Sequence, residues 1–91
     1  MGYSVTQVWV GSSKVGISNL DPVLAEVRGL GLTDPGQITT EIVRRIRKSN
    51  YIPEAAEPEY ARALYNAYRR SLGENVPERP NVLEVRVYGG D

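Results

Sequence analysis

The spacing of apolar side chains changes twice along this chain, and these changes constrain the fold more than any other feature. Residues 3–10 alternate between two rows that both contain β-branched or aromatic side chains, which predicts a strand. Gly11 and the two serines that follow it favour a turn, and residues 14–18 form a second short extended run. The start of the chain therefore predicts a β-hairpin.

The middle of the chain has the spacing and the end signals of helices. A short helix is predicted to begin with Asp21 as its N-cap, with a proline directly after it, and to end at Gly29 and Gly31. A second helix is predicted to begin at Asp34, because Pro35 suits the first helical position and a glutamine stands three residues after the cap. The apolar stripe of this second helix comprises Ile38, Ile42, Val43 and Ile46.

A third helix is predicted to open at Pro58 and to close at Gly73, with glutamates near its positive end and arginines near its negative end. Its apolar side comprises Tyr60, Ala61, Leu64, Tyr65, Tyr68 and Leu72. Residues 83–88 alternate again and predict a last strand with one buried face. Residues 89–91 are expected to form a flexible tail.

This order of elements predicts a single α+β domain over residues 1–91. An N-terminal β-hairpin is followed by three helices that pack on one face of the sheet. The C-terminal strand then joins the hairpin in a small mixed three-stranded sheet. The sequence leaves open which of the two hairpin strands this last strand neighbours.

Composition removes several classes of function. The chain has no cysteine and no histidine, which excludes disulfides, zinc fingers, thiol chemistry and imidazole general bases. Eleven Lys and Arg balance eleven Asp and Glu, so the net charge does not favour nucleic acid or an anionic membrane as an obligatory partner. Since no apolar run approaches the roughly 20 residues that span a bilayer, we expect a cytoplasmic protein without a membrane partner. No cofactor is expected.

Two features have the outline of chemical sites but are better explained by structure. Gly11 and Gly16 are spaced like the glycines of a phosphate loop, but the lysine and hydroxyl residue that this motif requires next do not follow. Glu54, Glu57 and Glu59 form the densest set of carboxylates, and the positive end of a helix accounts for them without a metal. We therefore expect neither a catalytic nor a metal site, and a chain that is not an enzyme.

The leading hypothesis is a small non-enzymatic module that binds a protein partner. If Val8 and Val10 point to the helices, Tyr3 and Trp9 lie on the open face of the sheet, with Arg86 and Tyr88 beside them from the last strand. In the alternative, Trp9 points inward and packs on the helices as a core anchor. Candidate partner-binding residues are Tyr3, Trp9, Arg86 and Tyr88 on the sheet, and Arg44, Arg47 and Lys48 on a basic helical face. Open strand edges would also permit strand addition by a partner or a homodimer.

A nucleic-acid-binding domain is the alternative hypothesis. Residues 44–72 hold seven Arg or Lys against three Glu, a net charge of +4. The candidate residues are Arg44, Arg45, Arg47, Lys48, Arg62, Arg69 and Arg70. Glutamates at the start of the third helix would repel a DNA backbone. A solvated helix face, in which Glu41 offsets Arg44 and Arg45, explains the same charges without a ligand.

The last residues suggest a third hypothesis. In residues 82–90, VLEVRVYGG, a strand pattern runs into Gly89-Gly90, and this resembles the end of ubiquitin-like proteins and sulfur carriers. The resemblance implies a carrier whose Gly90 becomes the terminus, with the last strand beside an N-terminal hairpin. Asp91 departs from the pattern because it would have to be removed, and residues 35–72 predict two helices where that fold has further strands.

Overall fold

A computed structural model describes residues 4–78, which form an antiparallel β-hairpin and three α-helices. The strands are β1 (Val5–Val10) and β2 (Ser13–Ser18), and the helices are α1 (Leu20–Gly29), α2 (Pro35–Ile46) and α3 (Glu57–Ser71), with a 3₁₀ turn at Glu54–Ala56. The predicted α+β class, with its hairpin and three helices, is confirmed. Over the described residues the sheet has two strands. The strand predicted at 83–88 and the tail predicted at 89–91 lie outside these residues.

The hairpin turns over two residues, Gly11 and Ser12. Gly11 has a φ of 62° and Ser12 has no positive φ, which is the combination that a type II′ turn requires. A Cβ on Gly11 would lie 3.3 Å from Oε1 of Glu59 on α3, a contact that this exposed side chain can relieve by a small movement, so the positive φ is what requires glycine. The end of β1 therefore lies beside the first turn of α3.

The start of α1 differs from the prediction. Asp21 is not the N-cap; Asn19 takes that position, with a φ of 62°, and Asp21 lies in the first turn. The backbone N–H of Asn19 donates to the carbonyl oxygen of Ser4 at 2.8 Å. This bond extends the hairpin ladder to Asn19. The left-handed backbone conformation of Asn19 then turns the chain, and the helix begins directly after it. The helix ends at the two predicted glycines.

Helix α2 begins where the cap residue and the proline predict it, and it buries the predicted apolar stripe. The carboxylate of Asp34 accepts a hydrogen bond from the backbone N–H of Gln37 at 2.9 Å, and Pro35 occupies the first turn. All four residues of its predicted apolar stripe are buried. Buried side chains of α2 therefore face the other elements along the length of the helix.

A single side chain ties the end of α2 to the outer edge of β2. Oδ1 of Asn50 accepts from the backbone N–H of Ser18 at 2.8 Å, and Nδ2 of Asn50 donates to the carbonyl oxygens of Ser18 and Ile46, each at 3.0 Å. Asn50 thus pairs with β2 as a neighbouring strand would, and it also satisfies a carbonyl at the end of α2.

Helix α3 contributes a wider face to the core than predicted. Leu64 and Tyr68 are buried as expected, and Ala63 and Ala67 are buried beside them. Leu72 was predicted on this face but is 50% exposed, because it lies past the last turn of the helix. The innermost side chains of the core are Ile17, Leu20, Val27, Ile42, Ile46 and Leu64.

Tyr60 and Tyr65 of α3 lie at the edge of the core, whereas Tyr68 is buried within it. Tyr60 and Tyr65 are partly buried and pack against it, and the rings of Tyr65 and Tyr68 stack with centroids 6.3 Å apart. Between residues 4 and 78, no helix is long and apolar enough to cross a membrane.

Candidate interaction surface

The face of the hairpin that points away from the helices carries the single tryptophan of the chain. Trp9 is half-buried and is paired across the strands with Lys14. Nζ of Lys14 lies 5.7 Å from the centroid of the indole ring, within the range of a cation–π interaction. Gln7 and Val5 share this row, and Val5 is 49% exposed. We call Val5, Gln7, Trp9 and Lys14 the hairpin face.

The burial of the neighbouring residues fixes the direction of Trp9. Val8 and Val10 are buried, and Ile17 on β2 is buried on the same side of the sheet. Because successive strand residues point to opposite faces, Trp9 points outward. The structure therefore places Trp9 on the open face of the hairpin rather than at the centre of the core. The sequence left this open because both rows of β1 contain apolar side chains.

Three other residues predicted for this surface, Tyr3, Arg86 and Tyr88, lie outside the described residues. Their placement beside Trp9 stays a prediction.

The basic helical face is largely offset by glutamates. Glu41 accepts from Nη2 of Arg44 at 2.7 Å and from Nε of Arg45 at 3.1 Å, and Arg45 also reaches Glu26 on α1 at 2.9 Å. The hydrogen bonds from Arg44 and then Arg45 lower the pKa of the Glu41 carboxyl below its usual value. Hydrogen bonds to Glu41 and Glu26 in turn raise the pKa of Arg45. The pairing of Glu41 that the sequence suggested is therefore present.

The remaining candidate cations fall into three groups. Arg47 pairs with Glu57 on α3 at 2.9 Å, and Arg69 pairs with Glu74 at 2.7 Å. The guanidinium of Arg70 donates to the carbonyl oxygen of Pro77 at 3.4 Å. Within residues 4–78, Lys48 and Arg62 are exposed and form no ion pair. The seven predicted residues therefore do not form one uncompensated basic patch.

The three glutamates before and within α3 do not converge. Glu57 pairs with Arg47, Glu59 lies beside Gly11, and Glu54 is exposed in the 3₁₀ turn. In the part of the chain that the structure describes, no group of three acidic residues is placed to hold a metal ion.

A groove of about 280 Å³ follows β1. Residues 6–9 all line this groove, and no residue of β2 does. Since consecutive strand residues point to opposite faces, a groove that they share must run along the backbone edge of the strand. Its other walls come from α1 and α3, through residues such as Leu24 and Ala67.

Sequence reasoning missed one exposed aromatic side chain. Tyr51 is 84% exposed, although its neighbour Ile52 is only 4% exposed and its neighbour Asn50 is hydrogen-bonded to Ser18. The ring is therefore held in solvent by two anchored neighbours. A lone aromatic directly after a helix stop is the sequence signal that could have identified it.

Comparisons with protein-family models, with curated proteins and with solved structures find no match to this chain. Its function must therefore be argued from its own surfaces.

Proposed function

We propose that this chain is a small non-enzymatic module that binds a protein partner through the hairpin face. The observation that carries the proposal is the outward placement of Trp9, the largest side chain of the molecule, on the face of the hairpin away from the helices. Tryptophan is among the residue types most enriched at the energetic centre of protein interfaces.

The surroundings of the half-buried Trp9 favour recognition by a partner. Lys14 lies over the indole ring, which restricts the ring before a partner arrives and so lowers the entropic cost of binding. Val5 adds exposed apolar surface on the same row, and Gln7 adds a polar group between them. An apolar centre with polar groups at its side is the usual composition of an interface.

The charge pattern favours the hairpin face over the basic helical face. Arg44, Arg45 and Arg47 already donate to glutamates of this chain, so a partner there would have to replace bonds that exist. The same ion pairs reduce the positive potential that a nucleic acid would need. Lys48 and Arg62 are left as separate exposed cations, which is an ordinary property of a solvated helix surface.

The test is affinity capture of the tagged full chain in lysate of its source organism, with and without nuclease, followed by mass spectrometry. We expect a nuclease-resistant protein that the Trp9→Ala variant retains at least roughly thirtyfold more weakly, since truncating an anchor at the centre of an interface costs about 2 kcal/mol. Tyr51→Ala is the matched control, because it removes an even more exposed aromatic from another surface.

Circular dichroism of each variant establishes that it is folded. Equal capture by wild type and Trp9→Ala would contradict the proposal. Loss of capture in Arg44→Glu alone would move the surface to the basic helical face, and loss on nuclease treatment would move it to nucleic acid.

A further inference from the structure

The outer edge of β2 presents backbone groups that a further strand can bond. The hairpin turns over two residues, so Val10 and Ser13 exchange backbone hydrogen bonds, and every second pair after them does the same. Lys14 and Gly16 lie between these bonded pairs and therefore direct their backbone N–H and C=O groups away from β1. Both residues are exposed, and none of the hydrogen bonds within residues 4–78 uses these outward groups.

The far end of the same edge is already bonded as a strand would bond it. Ser18 has the same place in the ladder as Lys14 and Gly16, and its outward N–H and C=O both bond to the side chain of Asn50. Asn50 therefore limits an added strand to the part of β2 that precedes Ser18.

The side chains along this edge define what an added strand must carry. A Cβ built on Gly16 would lie 3.0 Å from Cγ1 of Val5, so the side chain of Val5 leans toward the bare backbone of Gly16. A strand beside Gly16 can therefore place an apolar side chain against Val5, which is 49% exposed. Lys14 forms no ion pair within residues 4–78, so a carboxylate opposite it would complement its charge.

We propose that the partner of the hairpin face adds an extended acidic segment to the edge of β2, antiparallel to it. Antiparallel pairing is favoured because it is the more stable arrangement per residue. An apolar residue of the segment then lies opposite Gly16, and an Asp or Glu two positions later lies opposite Lys14. The inference rests on the proposed function, since it describes how that same partner binds.

A second copy of this chain fits the edge less well than an acidic segment. Antiparallel pairing of β2 with itself sets the lysines of both copies on one face of the sheet, where like charges repel. Ser18 of each copy is already bonded to Asn50, which shortens the ladder that two copies can share. A lysine on an edge strand is also a common protection against such self-pairing.

A peptide selection on the purified full-length chain tests the inference. The library has about seven random residues, which is long enough for one strand. We expect enrichment of an apolar residue followed two positions later by Asp or Glu. A selected peptide is then added to ¹⁵N-labelled chain, where the backbone amides of Lys14 and Gly16 should become protected from exchange with solvent.

Methylation of the peptide backbone separates strand addition from binding by side chains alone. A methyl group on the nitrogen of the apolar residue removes the bond to the carbonyl oxygen of Gly16 and should weaken binding roughly tenfold. The same methyl group on the next residue is the matched control, because the N–H of that residue points away from β2.

Charge reversal tests the role of Lys14. Lys14→Glu should weaken the selected peptide roughly tenfold, since an opposite-charge pair becomes a like-charge pair. Lys48→Glu is the control and should leave the affinity unchanged, because Lys48 is another exposed lysine without an ion pair in the described part of the chain. Circular dichroism establishes that each variant is folded.

Four results would overturn strand addition: no enrichment, enrichment without this pattern, equal effects of the two methylations, or amide protection away from β2. Each of them is compatible with capture that depends on Trp9, so it is distinct from a failure of the proposed function. Capture that ignores Trp9→Ala, together with peptide binding at β2, would contradict the hairpin face alone and support the edge of β2 as the binding surface.

Discussion

At the scale of single residues, the side chain of Asn50 forms the hydrogen bonds to β2 that the backbone of a neighbouring strand would form. Its amide bonds both backbone groups of Ser18 and a carbonyl at the end of α2. Asn50 and Ser18 are 32 positions apart in the sequence. No local sequence pattern around Asn50 can show a contact made at that separation.

We predict that Asn50→Ala lowers the free energy of unfolding by about 2 kcal/mol, because it leaves partly buried backbone groups without their partner. Urea unfolding followed by circular dichroism measures the change. Asn75→Ala, at an exposed position in the segment after α3, is the control and should change stability by less than about 0.5 kcal/mol. Equal effects of the two substitutions would show that the amide of Asn50 is not needed.

At the scale of elements, the signals within an element decided which predictions held. Helix α2 was predictable because its cap, its proline and its apolar stripe all lie within its own sequence. The start of α1 was not, since the bond from Asn19 to Ser4 comes from the hairpin. The ion pair between Arg47 and Glu57 likewise joins separate elements, so charge counting along the sequence overstated the basic face.

Helix α2 also allows a prediction about acid stability. Arg44 and Arg45 lower the pKa of Glu41 in the folded chain, so the ionised carboxylate stabilises the fold above its unfolded pKa. This contribution is lost as the pH falls through the lower, folded pKa. We predict that Glu41→Gln is less stable than wild type near neutral pH and that the difference disappears in strong acid.

Urea midpoints measured between about pH 7 and about pH 2 test this prediction. The control is Glu54→Gln, which removes an exposed carboxylate with no ion pair within the described part of the chain. A constant difference between Glu41→Gln and wild type across the whole pH range would contradict the assigned role of the two arginines.

At the scale of the whole molecule, the two sides of the hairpin serve different purposes. The inner side, with Val8 and Val10, packs against the helices. The outer side presents Trp9 beside Lys14. The alternation of β1 predicted two such sides, but only the packing of the helices determined which row each side received. The helical layer thus covers one side of the hairpin, and the partner that we propose would bind the other.

The measurement that tests this account most directly uses the fact that the chain has one tryptophan. Full-length chain labelled with 5-fluorotryptophan gives a single ¹⁹F resonance, which is followed while the captured partner is added. We predict that the resonance moves to a new position in step with complex formation and that Lys14→Ala weakens the same titration. If sedimentation detects a complex while the Trp9 resonance keeps its chemical shift, the claim that the partner binds at Trp9 is contradicted.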